Sequence, residues 1–287
     1  MKYAIIMDSS NNFMNDNTIC MDNLFPLYLR IEGQNQSYRD GLDIHAQQLY
    51  QLMEHGHDFK TSLPSLYDIE ETVDKIISLG YDSILLIVIS RGLSSTCDTI
   101  ESICINKGIS CKVVDTKSSA EIALTCVKKA QSLLAQGVDI EQVIKELNLI
   151  INNSGTFIIP SNLKQLVKSG RISNIAASLA HLLKIVPILH LSNETDGKIE
   201  VFEKVRTEKK AWNVVINFLR EKGMSFNDRI CLAHTLCLEK ANQLKSLIEQ
   251  ELGIMNIYFC DLVPVVGVHT GLGCVALQWI KEGLECE

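Results

Sequence analysis

Ser83-Ile84-Leu85-Leu86-Ile87-Val88-Ile89 runs straight into Ser90-Arg91-Gly92-Leu93-Ser94-Ser95, and a helical pattern over 96–106 follows. A short apolar run, a polar break and an amphipathic segment make one βα unit. The same succession recurs where 3–7 leads into Asp8-Ser9-Ser10 and where 112–114 leads into Asp115-Thr116-Lys117-Ser118. Repeated βα units predict a parallel sheet. In open α/β sheets ligands gather at the carboxyl ends of the strands, where helix N-termini present free N–H groups to anions. The three loops therefore predict a polar rim.

Further helical patterns cover 119–136 and, after the cap-like Asp139, 140–152. Ser65 is a good N-cap for the apolar-periodic run through Ile69, Val73, Ile76 and Ile77. A first lobe of residues 1–155 is expected, and a second over 156–287. The second opens with a strand at 156–159, a helical turn at 162–168, a break at Ser169-Gly170-Arg171 and an Ala-rich helix to Leu182. A hairpin then joins 184–191 to 198–205 through Asp196-Gly197, which fits poorly with continued parallel winding. Helices at 207–220 and 238–252, strands at 229–233 and 257–262, and a last apolar strand through Ile280 complete a mixed lobe.

The chain has 287 residues, 46% hydrophobic and 21% charged, which excludes a disordered or fibrous protein. A net charge of −7, from 27 Lys and Arg against 34 Asp and Glu, gives no footprint for nucleic acid or an anionic membrane. No apolar stretch approaches the ~18 residues of a membrane span, so no stable membrane insertion is expected. The start Met1-Lys2-Tyr3-Ala4 does not resemble a signal peptide, and the cytoplasm is the expected compartment. The ten cysteines include no Cys-x-x-Cys pair, which leaves them as small buried apolar side chains.

Catalytic fingerprints are missing: no Gly-x-Gly-x-x-Gly after a strand, no Walker loop, no Gly-x-Ser-x-Gly and no His-Glu-x-x-His occurs. His55-Gly56-His57 lacks a third ligand nearby, so no metal is expected. Ser94, His269 and Asp8 have the residue types of a hydrolase triad, which only geometry can establish. Arg171 follows a glycine at a helix break, where its planar fork can face solvent or grip a carboxylate or phosphate. From spacing the basic segment 204–210 reads as a solvated face, with contact to an anionic ligand or partner as the alternative. His269 lies among Gly267, Gly271 and Gly273, where the backbone can approach other groups closely, and it reads equally as a structural or a functional residue.

Taken in order, these segments resemble the DegV family, whose better understood members are FakB-type bacterial fatty-acid-binding proteins. The resemblance runs nearly end to end. It rests on Asp8-Ser9-Ser10, on Thr61-Ser62-Leu63-Pro64-Ser65 where Thr-Ser-Gln-Pro-Ser is usual, and on 90–96 against a Leu-Ser-Gly-Thr core. It continues through Asp115-Thr116, Lys168-Ser169-Gly170-Arg171-Ile172, Lys184-Ile185-Val186-Pro187-Ile188, Lys204-Val205-Arg206-Thr207 and Pro264-Val265-Val266-Gly267-Val268-His269-Thr270-Gly271. Ser95 stands where the family has Gly, and Leu63 where it has Gln.

The resemblance implies a two-lobed α/β protein, an N-terminal parallel lobe and a C-terminal mixed one, with a long-chain fatty acid between them. It implies a carrier without cofactor that presents its ligand to a separate FakA-like, ATP-dependent kinase for acyl-phosphate formation. By motif position the carboxylate contacts are Thr61, Ser62 and Ser94, with Ser95, Arg171, His269 and Thr270 around them. Burying about fourteen methylenes at ~0.8 kcal/mol each supplies ~11 kcal/mol before binding costs. Hydroxyl and N–H donors can then hold the desolvated carboxylate without covalent chemistry. A serine hydrolase acting through Ser94 and His269 is the rival reading, and a small-anion module with no apolar tunnel is a third.

Overall fold

The computed structural model describes residues 1–172 and 185–283; the Ala-rich helix expected up to Leu182 falls outside them. Strand β1 (Tyr3–Asp8) opens the chain and β2 (Leu24–Leu27) follows. Next come β3 (Arg30–Glu32), β4 (Ser37–Arg39), helix α1 (Ala46–Glu54) and β5 (Lys60–Ser62). Helix α2 (Leu66–Ser78), strand β6 (Ser83–Ile87), helix α3 (Thr96–Asn106), strand β7 (Ser110–Val113) and helices α4 (Ala120–Ala135) and α5 (Ile140–Asn152) complete the first half.

The four strands in order β2-β1-β6-β7 form a parallel sheet, as the βα succession predicted. Ala4, Ile6, Ile84 and Leu86 pack against α2 and α3, whereas Ile5, Met7, Leu85 and Ile87 pack against α4 and α5. Both faces are covered, which is why the central strands β1 and β6 read as nearly unbroken apolar runs. The expected caps are in place: Ser65 Oγ accepts from the Asp68 N–H at 3.1 Å, and Asp139 Oδ1 from the Glu141 N–H at 2.9 Å. Strands β4-β3-β5 form a separate small antiparallel sheet that the sequence did not announce. Three-residue strands are too short to show a period.

The second half continues with β8 (Ser154–Ile159), α6 (Lys164–Ser169), β9 (Val186–Ser192), β10 (Glu200–Val205), α7 (Glu208–Glu221) and β11 (Arg229–His234). It ends with α8 (Leu238–Leu252), β12 (Ile257–Asp261), α9 (Pro264–Thr270) and β13 (Val275–Ile280). The hairpin β9/β10 forms as expected, turning through Asp196 and Gly197, both at positive φ. Six strands lie in the order β10-β9-β8-β13-β11-β12, with only β11 and β12 parallel. The last strand in sequence thus sits in the middle of the sheet.

The register of this sheet creates two unlike faces. Phe157, Ile230, Leu232, Leu277 and Trp279 point one way and form a core with α7 and α8. Opposite them, Ile158 pairs with Ala276, Thr156 with Gln278, Gln278 with Cys231, and Ala276 with Ala233, which neighbours Cys260. This second face is mostly small and is turned toward the first half. Gln278 ties the halves: its amide nitrogen donates to Thr156 Oγ1 at 2.8 Å and to the Ser119 carbonyl at 3.1 Å, and its oxygen accepts from the Glu121 N–H at 2.8 Å.

The cysteines depart in part from the expectation of small apolar side chains. Cys97, Cys104, Cys126 and Cys274 are buried and free, but Cys231 and Cys260 are joined by a disulfide between β11 and β12. Twenty-nine residues separate them in sequence, so only the strand pairing brings them together.

Candidate functional site

Thr61, Ser62, Ser94, Ser95, Arg171, His269 and Thr270 all line one cavity of about 280 Å³. The cavity lies where β5, the loop after β6, the end of α6 and helix α9 converge. Leu29, Leu63, Leu93 and Val265 supply its apolar wall. Leu93, Ile199, Val266 and Thr270 also border a second, inner space of about 40 Å³. The inner walls are Ala120, Ile158, Cys231, Ala233 and Ala276, largely the small face of the second sheet. Small side chains there leave the room that larger ones on the other face fill.

Helix α9 carries the key imidazole, and Gly267 sets the helix position. A Cβ on Gly267 would lie 2.2 Å from the Tyr50 hydroxyl oxygen, and the buried Tyr50 hydroxyl itself donates to the Leu262 carbonyl just before α9. His269 Nε2 lies 2.7 Å from Thr61 Oγ1. Burial, helped by the Arg171 charge, lowers the His269 pKa to about 4, so the ring is neutral near pH 7. Its Nδ1 is buried without a partner. A buried N–H left unpaired costs more than a bare lone pair, so the proton belongs on Nε2, donating to Thr61. The Thr61 hydroxyl hydrogen is then free to donate into the cavity.

Ser94 Oγ lies 2.8 Å from Thr96 Oγ1 at the start of α3. Arg171 follows Gly170, at φ +67°, and one guanidinium nitrogen donates to the Ser169 carbonyl at 2.6 Å. Ser62 edges the mouth, but its hydroxyl donates to Glu32 at 2.8 Å. The loop bearing Ser94 and Ser95 is pinned to the other lobe: Ser90 Oγ donates to the Gly197 carbonyl at 3.0 Å, and a Cβ on Gly92 would lie 2.2 Å from that oxygen.

Of the three strand-end loops expected to form the rim, only 90–95 serves the mouth. Asp8 is fully buried and accepts from the N–H groups of Ser10 and Ile89, while Ser9 Oγ accepts from the Leu29 N–H at 3.0 Å. That loop knits strands together. Asp115 and Lys117 are likewise engaged, Lys117 pairing with Asp115 at 3.0 Å and with Asp196 at 2.6 Å. The triad considered from the sequence is not assembled: Ser94 meets Thr96, His269 meets Thr61, and Asp8 meets Ser10 and Ile89. The 204–210 segment lines neither cavity. His55 turns its Nδ1 to the Gln51 carbonyl, and among the described residues no cluster of metal-ligating side chains occurs. The inner wall escaped the sequence reading. Its signal was the alternation of small with large residues in Cys231-Leu232-Ala233 and Ala276-Leu277-Gln278.

Behind the site Asp40 is completely buried, and burial raises its pKa to about 8; the Ser9 hydroxyl and Val265 N–H face it without closing a normal hydrogen bond. An unfolded aspartate releases its proton near 3.8, so between these values the folded chain holds the extra proton. Stability contributed by this group is present at the acidic end and lost as pH rises through about 8. Asp40→Asn stays neutral throughout and is expected to remove this group's share of the fall in melting temperature between about pH 4 and about pH 8. An unchanged slope in thermal melts would refute the assignment.

No described helix is long and apolar enough to cross a membrane. The family model described as "Uncharacterised protein, DegV family" matches residues 2–282. A DegV domain-containing protein of Streptococcus pneumoniae is 32% identical over 283 residues, covering 98% of this chain and 99% of that one. The crystal structure of a DegV family protein of Streptococcus agalactiae, described as fatty acid binding, superposes with a TM-score of 0.88 at 28% identity, covering 99% of this chain and all of that one. A Thermus thermophilus DegV family protein shares the fold at 23% identity and TM-score 0.84, covering 98% of this chain and all of that one. With the family match running through all three sheets and through every element that lines the cavity, the chain belongs to the DegV family.

Proposed function

We propose that the protein binds one long-chain fatty acid, its carboxylate at the mouth between lobes 1–155 and 156–287 and its acyl chain directed into the inner space. The observation that carries this is the convergence of seven polar residues on a cavity that shares Leu93, Ile199, Val266 and Thr270 with a second, smaller and mostly apolar space. Thr61 donates to the carboxylate with its hydroxyl oriented by His269; Ser94 and Ser95 add donors, Arg171 a positive charge, and Thr270 marks the passage inward. The fatty-acid-binding S. agalactiae relative supports the same reading. The protein acts as a carrier without cofactor, and a FakA-like kinase phosphorylates the carboxylate it presents. Organic extraction of the purified protein followed by mass spectrometry is expected to release a long-chain fatty acid. Recovery of a small anion alone would overturn the carrier reading, and a fluorophosphonate adduct on Ser94, lost in Ser94→Ala, would favour the hydrolase.

Arg171 serves the phosphorylated product more than the acid. Arg171→Ala is expected to slow kinase-coupled acyl-phosphate formation by about tenfold, the range for one charge-assisted contact, while fatty-acid affinity changes less. Unchanged turnover at low salt would remove this role.

A further inference from the structure

Cys231 and Cys260 stand at the junction of three features. Both line the inner space, beside Ala233 and Ala276. They come from neighbouring parallel strands, with Cα atoms 6.5 Å apart, inside the range a disulfide spans without backbone movement. Cys231 is buried, whereas Cys260, on the edge strand β12, is partly exposed. Moreover, Cys260 begins the segment Cys260-Asp261-Leu262-Val263 that leads directly into α9. The disulfide therefore anchors the start of a wall that ends at His269 and Thr270.

We propose that this pair is a redox-active dithiol, and that its disulfide is the ligand-retaining state of the cavity; the retention role rests on the fatty-acid reading above. The oxidant is a low-molecular-weight disulfide. The Cys260 thiolate attacks one of its sulfurs, releasing the first small thiol and leaving a mixed disulfide on Cys260. Cys231, as thiolate, then attacks Cys260 Sγ and expels the second small thiol; the two protons lost by the protein appear on the two thiols released. Formation of the bond ties β12 and the approach to α9 onto β11. Reduction removes the covalent tie of β12, an edge strand whose backbone is laddered to β11 alone. Local opening of that wall, the step a bound chain needs to leave, is then easier.

The test uses the full chain, oxidised with glutathione disulfide or reduced with dithiothreitol, and a fluorescent long-chain fatty acid. Peptide mapping is expected to show the Cys231–Cys260 crosslink in the oxidised protein, and release of the probe is expected to be about threefold or more slower than from the reduced form. Cys231→Ala and Cys260→Ala are expected to release at one rate in both conditions. Absence of the crosslink after oxidation, or equal release from the two wild-type forms, overturns the proposal while leaving the carrier reading intact. Failure of both forms to take up the probe overturns the carrier reading and the retention role with it.

Discussion

Gly267→Ala is expected to unseat α9 and empty the cavity. The new methyl would stand 2.2 to 2.5 Å from three atoms of the Tyr50 ring and hydroxyl, and Tyr50 is buried and tethered to the Leu262 carbonyl. Neither partner has room to retreat, so α9 must shift. Overpacking of this kind costs about 1–3 kcal/mol, and at ~2–4 °C per kcal/mol the melting temperature falls by roughly 2–12 °C. The larger effect is functional, because Val265, Val266, His269 and Thr270 travel with the helix. Fatty-acid affinity is expected to drop more than tenfold even where the variant remains folded by circular dichroism. A variant that melts and binds like the wild type would show that α9 has slack which the Tyr50 contact denies it.

Thr61→Val is expected to raise the dissociation constant for a fatty acid by about 5- to 150-fold, corresponding to the ~1–3 kcal/mol cost of an unsatisfied buried group. The change removes the hydroxyl that faces the cavity and leaves the His269 Nε2–H without its acceptor. Ser94→Ala is expected to cost less, since the Thr96 hydroxyl 2.8 Å away remains to fill part of the gap. A fatty alcohol of equal chain length separates head group from tail: its affinity is expected to change far less than that of the acid in either variant. Equal losses for acid and alcohol would place the damage in the apolar passage and remove Thr61 from the head-group role. Because His269 titrates near 4, the contrast is expected to hold from about pH 6 to 8.

In the parallel lobe β1, β6 and β7 were legible, the first two because they are buried on both faces, as were the helices capped at Ser65 and Asp139, whereas β2 was not read from the sequence. The hairpin at Asp196-Gly197 was legible for the same local reason, a turn whose backbone requires positive φ. The seven residues proposed to bind the ligand were reached through ordered motifs, and all of them line one cavity. Position within a motif does not reveal side-chain direction, however. Asp8 and Ser9 share their loop's polarity with Ser94, yet they bond inward to Ile89 and Leu29.

Local sequence, then, determined the longer apolar strands, most helices, the caps at Ser65 and Asp139, the hairpin turn and the residue types available for binding a carboxylate, since each depends on neighbours a few positions away; it did not reveal β2 to β5 or helix α9. Tertiary structure alone decided three things. It placed β13 between β8 and β11, so that Ala276 and Gln278 complete a small-residue face. It brought Thr61 to His269 across 208 positions of sequence, which makes one hydroxyl a directed donor. It set Cys231 beside Cys260 in the wall of the inner space. Each is a contact between residues distant in the chain, whose partners are chosen by strand register and by close packing against residues such as Gly267, and no local propensity encodes that choice.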